Sequence, residues 1–456
     1  MTLFGGRRVH FIGIGGAGMS AIAKVVIERG VPVSGSDMKR SRAAVLLEAI
    51  GAEVRIGHEA AAVDGAGVVV VSSAIPDTNP ELERARALGL QVLARGEALA
   101  QILSSSRAVV VAGTHGKTTT TSMIVAALTA SGLDPTYLVG GGLNDVGTNA
   151  RHGRGGYAVA ESDESDGSFL LLEPHVAVIT NVEVDHVDYW TSLDDLLGAF
   201  RRFLDRVRPG GAAIVPYEDQ RLVEMAQASG RDVLTFGEGG DVRAEDISLH
   251  ATEATFVLVA GGERARVRLR VPGRHNVMNA LAAAAAAQAA GVGVTAIASG
   301  LETYLGVERR FQIRGTARDV TVIDDYAHHP TEVEATLAAA RPGGWRRVVA
   351  VFQPHRYSRT QAFAPAFGAA FSEADRVVVT DVYGAGEAPV PGVSGKLVAD
   401  AVCRRFPGRP VAYLPHREEL LDYLIRASRP GDAVLTMGAG DVGMIGDELL
   451  ARLEAQ

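Results

Sequence analysis

The chain is short of residues that would announce several common protein classes. Its 456 residues hold one cysteine, Cys403. That excludes an intramolecular disulfide and a cysteine-clustered zinc site. Excess positive charge is also missing: 45 Lys+Arg against 53 Asp+Glu leave a net charge of −8. Such a balance argues against nucleic-acid binding through broad phosphate neutralisation, though not against a local anion site. No apolar run is long enough to span a bilayer; the longest bland stretch, Leu281 to Ala290, is alanine-rich. No long apolar signal region precedes the first strand-like run, so a soluble, cytoplasmic protein without membrane insertion is expected. Lysine is the scarcest of the charged residues. Lys24, Lys39, Lys117 and Lys396 stand against 41 arginines, a bias that fits GC-rich coding. Against that background, a lysine in a glycine-rich loop stands out.

What is present is an ordinary globular balance, 47% hydrophobic and 21% charged. At about 150 residues per domain the length predicts roughly three domains. Strand-like runs alternate with helical periodicity throughout, the pattern of α/β layers with mostly parallel sheets. Boundaries near 106 and 314 divide the chain into 1–106, 107–314 and 315–456. Predicted strands include Val9–Gly13, Val31–Ser34, Val68–Ser72, Arg107–Ala112, Tyr157–Glu161, Val176–Thr180, Val320–Asp325 and Arg347–Phe352. The stretch Val233–Val271 reads as short strands with polar turns, a small hairpin region. An alanine-rich helix is expected from Asn276 to about Ala290. No solenoid repeat is visible.

Two glycine loops carry the first chemistry. Gly13-Ile14-Gly15-Gly16-Ala17-Gly18 follows a strand and precedes a helix. Glycines there let the backbone approach a pyrophosphate at a helix N-terminus, and Asp37 after the second strand stands where dinucleotide folds keep a ribose partner. Alone, this turn suggests a nucleoside diphosphate, a nicotinamide cofactor and oxidoreductase included. The second loop, Gly113-Thr114-His115-Gly116-Lys117-Thr118, follows a buried-looking strand and opens a threonine-rich helix. Its backbone N–H groups suit β- and γ-phosphates, Lys117 neutralises them, and Thr118 can ligate Mg²⁺. The strict P-loop pattern wants glycine where this chain has Val111. An ATP site is expected, with Lys117 of little packing value and therefore of little weight in stability.

Acidic clusters follow two further strands: Glu161 to Asp166, and Asn181 to His186. In open α/β sheets, ligands collect beyond the carboxyl ends of strands. Glu161 and His186 are therefore candidate Mg²⁺ ligands, whereas Glu164 and Asp188 read as solvated loop residues. The third block offers Asp324-Asp325-Tyr326-Ala327-His328-His329-Pro330, with Pro330 suited to a first helical turn. It also offers Gln353-Pro354-His355-Arg356-Tyr357-Ser358-Arg359-Thr360, where two arginines past a strand end suit a carboxylate or phosphate clamp.

In order, these motifs closely resemble those of the Mur ligases, ATP-dependent amide-forming enzymes of peptidoglycan assembly. The carrying segments are His10 to Ser20, Ser72 to Pro76, Gly113 to Thr120, Glu161 to Asp166, Thr180 to His186, Pro272 to Ala280, Asp324 to Glu332 and Phe352 to Thr360. The resemblance spans essentially the whole chain. It implies an N-terminal Rossmann-like domain, a central ATPase-type parallel sheet and a C-terminal Rossmann-like domain that closes over the site. It reassigns Gly13, Gly15, Gly16 and Gly18, with Asp37 and Ser72, to the pyrophosphate and UDP of a sugar substrate. Gly113, Thr114, His115, Gly116, Lys117, Thr118 and Thr119 would meet ATP, and Asn276 its adenine. Thr118, Glu161 and His186 would hold Mg²⁺. His328, His355, Arg356 and Arg359 would lie near the reacting carboxyl and the amino acid, with His328 a candidate base.

The implied substrates are UDP-N-acetylmuramate, ATP and L-alanine, joined through an acyl phosphate. Within the family, a ligase recycling a ready-made tripeptide is the alternative. Several siblings hold a second metal with a carbamylated lysine. No lysine lies between Lys117 and Lys396, so dependence on dissolved carbon dioxide is not expected here.

Overall fold

A computed structural model describes residues 3–144, 147–185 and 189–455. Three mainly parallel sheets carry the architecture, each flanked by helices. The first holds five parallel strands in the order Glu53–Ile56, Val33–Asp37, Val9–Ile12, Val68–Val71, Gln91–Ala94. Val9–Ile12 is buried throughout and Val68–Val71 nearly so, because helices cover both faces. The order reverses beside Val9–Ile12, and the crevice at such a switch point is where α/β sheets take ligands. The glycine turn 13–18 leaves the sheet at this point.

The second sheet has seven strands: Asp232–Phe236, Ala212–Pro216, Val176–Ile179, Arg107–Ala112, Tyr157–Glu161, Thr136–Leu138 and Ala150–Arg151. Only the last pairs antiparallel. Arg107–Ala112 lies between Tyr157–Glu161 and Val176–Ile179. The phosphate loop therefore issues between the two strands whose ends carry the acidic clusters. The expected hairpin region divides: Asp232–Phe236 extends the parallel sheet, while Arg243–Leu249, Ala254–Ala260 and Glu263–Leu269 form a separate antiparallel sheet.

Helix Arg274–Ala289 buries ten residues, mostly alanine, against Lys117–Ala130 and its neighbours. Small side chains permit close crossings: a Cβ on Gly300 of helix Val294–Thr303 would stand 2.5 Å from the Ala127 Cα. Helix Leu193–Asp205 forms by ordinary local rules. Ser192 caps it by accepting from the Asp195 N–H, Asp194 and Asp195 complement its N-terminus, and Leu196, Phe200, Phe203 and Leu204 form its buried stripe.

The third domain's sheet runs Gln312–Ala317, Val320–Asp325, Asp432–Met437, Arg347–Phe352, Arg376–Val379, Val411–Tyr413, with the first strand antiparallel. Its first strand spans the boundary expected near 314. Short strands such as Glu53–Ile56, Thr136–Leu138 and Val411–Tyr413 escape sequence reading because three or four residues show no resolvable period. One apolar cluster runs unbroken from Val9 and Phe11 of the first sheet into Ala108 and Ile179 of the second. The third domain keeps its own clusters.

Candidate active site

The phosphate loop is fixed by the strand beside it. Gly113 and Gly116 have φ of 127° and 78°, where other residues are strained. A Cβ at either would also collide, with the Thr180 hydroxyl or the Asn279 amide. Asn181 accepts the His115 N–H at 2.9 Å and returns its amide to the His115 carbonyl at 3.0 Å. Thr180 donates to the same carbonyl at 2.6 Å. Lys117 opens the helix, and its ammonium donates to the Gly113 carbonyl at 2.7 Å and to Glu164 at 2.9 Å. Burial opposes its charge, yet Glu164 first and Asp163 next hold Lys117 above the ordinary lysine range.

Glu164 is thus not the solvated residue expected from its acidic run. It is buried, and burial pushes its carboxyl up against the pull of Lys117. Beside it, burial likewise pushes the Glu161 carboxyl up, opposed by Thr118 and Lys117. Glu161 Oε2 is buried without a hydrogen-bond partner. Its other oxygen occupies the space that a Cβ on Gly140 would need. His186 and Asp188 lie outside the described residues.

In the first domain, Gly13 takes φ of 83° and the Gly15 N–H donates to Asp37 Oδ2 at 2.9 Å. Asp37 Oδ1 accepts from the Lys39 N–H. Asp37 therefore shapes the turn from behind, while Gly16, Gly18 and Ser72 line a cavity of about 750 Å³. The same cavity is walled by Lys117, Thr118 and Glu161 from the second domain and by His328, His355, Arg356 and Arg359 from the third. A second cavity of about 950 Å³ lies across the loop, lined by Gly116, Thr119, Asn276, Asn279 and Phe311 among others. Both cavities are bordered by His115, Gly116, Arg310 and Glu332, so they meet over the phosphate loop. Asn276 is buried, donating to the Pro272 carbonyl at 2.7 Å.

In the third domain, Pro330 starts helix Pro330–Ala340, and Glu332 accepts the His328 and His329 N–H groups at its N-terminus. His328 Nδ1 lies 2.9 Å from the Tyr326 carbonyl, to which a neutral ring donates from that nitrogen. That leaves Nε2 as the lone-pair nitrogen. Burial pushes His328 down to about 4 and His355 to about 3, so both rings are neutral at pH 7. Burial also lifts Asp325 to about 6, while it accepts the Phe311 and Ala327 N–H groups. Arg359 forks onto Asp185 with contacts of 2.9 to 3.1 Å.

Three family models match the chain in order: Mur ligase family, catalytic domain, over residues 8–107; Mur ligase middle domain over 111–287; and Mur ligase, glutamate ligase domain, over 309–440. The UDP-N-acetylmuramate–L-alanine ligase of Rubrobacter xylanophilus is 51% identical over 98% of this chain and 100% of that protein. The chain belongs to the Mur ligase family. The enzyme of the same name from Pelotomaculum thermopropionicum is 47% identical over 98% of each chain. The crystal structure of the UDP-N-acetylmuramate-alanine ligase of Thermotoga maritima superposes with a TM-score of 0.83 at 29% identity, over 98% of this chain and 99% of that one. A murein peptide ligase from Psychrobacter arcticus gives 0.72 at 25%, over 99% of each.

Several residues of this Mur ligase site were not singled out from sequence. Asp185 and Glu332 join the second and third domains, through Arg359 and through His115. Asn181 steadies the loop, Gly140 makes room for Glu161, and Arg310 stands between the cavities. Asp185 and Glu332 did fall inside motif segments, so the position of Asp185 past a strand end and of Glu332 in a first helical turn was the available signal. Gly140 sits in a plain run of three glycines and offered none.

Proposed function

We propose that this Mur ligase uses ATP to join the amine of L-alanine to the lactyl carboxylate of UDP-N-acetylmuramate, a cytoplasmic step of peptidoglycan precursor synthesis. The observation that carries this reading is the convergence on one 750 Å³ cavity of a pyrophosphate-type turn, a phosphate loop and a His/Arg cluster from three domains. Relatives 47–51% identical over nearly full length bear the name of that activity. A cytoplasmic setting is supported by the lone, exposed Cys403 and by the lack of a helix, among the described residues, long and apolar enough to cross a membrane.

A carboxylate is a poor acyl donor because its leaving group would be oxide. Taking the γ-phosphoryl group of ATP converts it to an acyl phosphate, with phosphate as leaving group. Adenine sits in the larger cavity beside Asn276, and the phosphates pass over Gly116 toward the smaller one. There the sugar pyrophosphate lies against Gly16 and Gly18. Lys117 exchanges Glu164 for phosphate oxygens and balances their charge, a matter of positioning and electrostatics rather than covalent work.

Thr118 and Glu161 would hold Mg²⁺, since a buried carboxylate oxygen without a partner, beside a hydroxyl, suits a hard cation. When bound, that ion supplies further charge neutralisation on the phosphates. His355 and Arg356 stand by for the alanine carboxylate. His328 Nε2 accepts an N–H of the incoming amine and orients it. With its pKa near 4, it is an acceptor rather than a lasting home for the proton.

The test is phosphate release from ATP with UDP-N-acetylmuramate, scanning L-alanine, glycine, L-serine and the tripeptide. L-Alanine is expected to give the highest kcat/KM. Preference for the tripeptide would favour the recycling reaction, and release with no acceptor requirement would remove the proposal.

A further inference from the structure

Apart from the phosphate chemistry, one side-chain cluster has unused coordinating capacity. His329 is 4% exposed, and neither of its ring nitrogens has a hydrogen-bond partner. Buried polar atoms are as a rule satisfied, so the arrangement asks for a reason. The ring packs against that of His115, with centroids 4.7 Å apart, and edge-on against Phe363 at 4.9 Å. His115 Nε2 is itself buried without a hydrogen-bond partner; Glu183 Oε2 stands 3.6 Å away. One nitrogen of each histidine and one oxygen of Glu183 all lie within 4.8 Å of one another.

We infer that His115, Glu183 and His329 form a binding site for a divalent metal ion of the zinc type, set across the seam between the second and third domains. Two imidazoles and one carboxylate are the donors that Zn²⁺ takes in three-ligand sites, with water in the fourth position. Mg²⁺ keeps to oxygen donors and would not choose this set. Tetrahedral Zn²⁺ with bonds of about 2.0–2.2 Å sets its ligand atoms about 3.4 Å apart. The His115–Glu183 pair, at 3.6 Å, is already close to that spacing, and a His329 ring nitrogen lies within 4.8 Å of both.

The surroundings prepare the ligands. Glu332 Oε1 lies 3.3 Å from His115 Nδ1. Against burial, Glu183 and Glu332 raise His115 to about 9, so the incoming ion displaces the Nε2 proton while Glu332 keeps the one on Nδ1, the usual carboxylate–histidine–metal arrangement. Thr331 donates to Glu183 Oε2 at 2.7 Å, holding the carboxylate at the seam. His115 lies on the phosphate loop, Glu183 follows strand Val176–Ile179, and His329 immediately precedes helix Pro330–Ala340. The full ligand set exists only while the third domain is closed on the second. The site shares no residue with the Mg²⁺ position at Thr118 and Glu161.

The test is a Zn²⁺ titration of the metal-free full-length protein in excess Mg²⁺, in competition with a chromophoric chelator. Wild type is compared with His329→Ala and Glu183→Ala. One Zn²⁺ per chain is expected for wild type, with affinity falling by at least about tenfold in each folded variant. Should His329→Ala fail to fold, the surface-side Glu183→Ala carries the comparison alone. No stoichiometric Zn²⁺ on wild type, or less than tenfold weakening in any folded variant, overturns the site.

Discussion

Replacing Lys117 by alanine tests the energetics of the phosphate loop most directly. Sequence alone assigns this lysine little weight in stability; the structure assigns it a large one. Its ammonium lies 2.9 and 3.2 Å from the two oxygens of Glu164, whose side chain is 2% exposed. At an effective dielectric near 20, unit charges about 4 Å apart attract by about 4 kcal/mol. Removing one member of a buried pair costs about 3–5 kcal/mol, because the remaining charge can be neither solvated nor paired. In a domain of this size, the lower figure corresponds to a fall of about 6–12 °C in Tm.

The deficit has a pH signature. Burial already raises the Glu164 carboxyl in the folded protein, and without Lys117 it rises further. A carboxyl whose folded pKa exceeds its unfolded value supports stability below the unfolded pKa and loses that support as pH rises through the folded one. Lys117→Ala should therefore be near wild type at about pH 4 and fall progressively behind toward pH 8. Thermal unfolding of nucleotide-free protein across that range measures it, and Lys117→Ala/Glu164→Gln should recover most of the loss. Ligation is lost in both variants. A Lys117→Ala midpoint within about 1 °C of wild type at pH 8 would refute the reasoning.

Three further outcomes are expected. Gly140→Ala should displace the Glu161 carboxylate, raising the Mg²⁺ concentration for half-maximal rate by about tenfold or more at nearly unchanged Tm, read from steady-state kinetics. Arg359→Lys cannot fork onto Asp185, so kcat/KM should fall by at least about tenfold, Asp185→Asn should match it, and the double variant should add little. Ligation at constant pH in carbon-dioxide-depleted buffer should match that with added bicarbonate, since the central domain has no lysine beyond Lys117 to carbamylate.

The parts legible in the sequence are those where the backbone itself is most constrained. Gly13, Gly113 and Gly116 need positive φ, and a strand must precede each loop, so residue type and order reveal them. The strand-end position of Glu161 was readable for the same reason. The partnerships were not. Glu164 lies 47 residues from Lys117, Asp185 lies 174 from Arg359, and Glu332 lies 217 from His115. A carboxylate in an acidic run looks the same whether it faces water or a buried ammonium. Only the meeting of strand ends decides which, within one sheet for Lys117 and Glu164 and between two sheets for the other pairs.

The two joints of the molecule differ in kind. The first and second domains share one continuous apolar cluster, so parting them would bring valines and phenylalanines into water. The third domain meets the second through Arg359–Asp185, His115–Glu332 and Thr331–Glu183, and among the described residues no apolar cluster runs through both domains. Water can take over those polar contacts one for one when the seam parts, with little greasy surface laid bare. The first joint is thus a weld and the second a latch. Salt should therefore loosen the latch and leave the weld untouched.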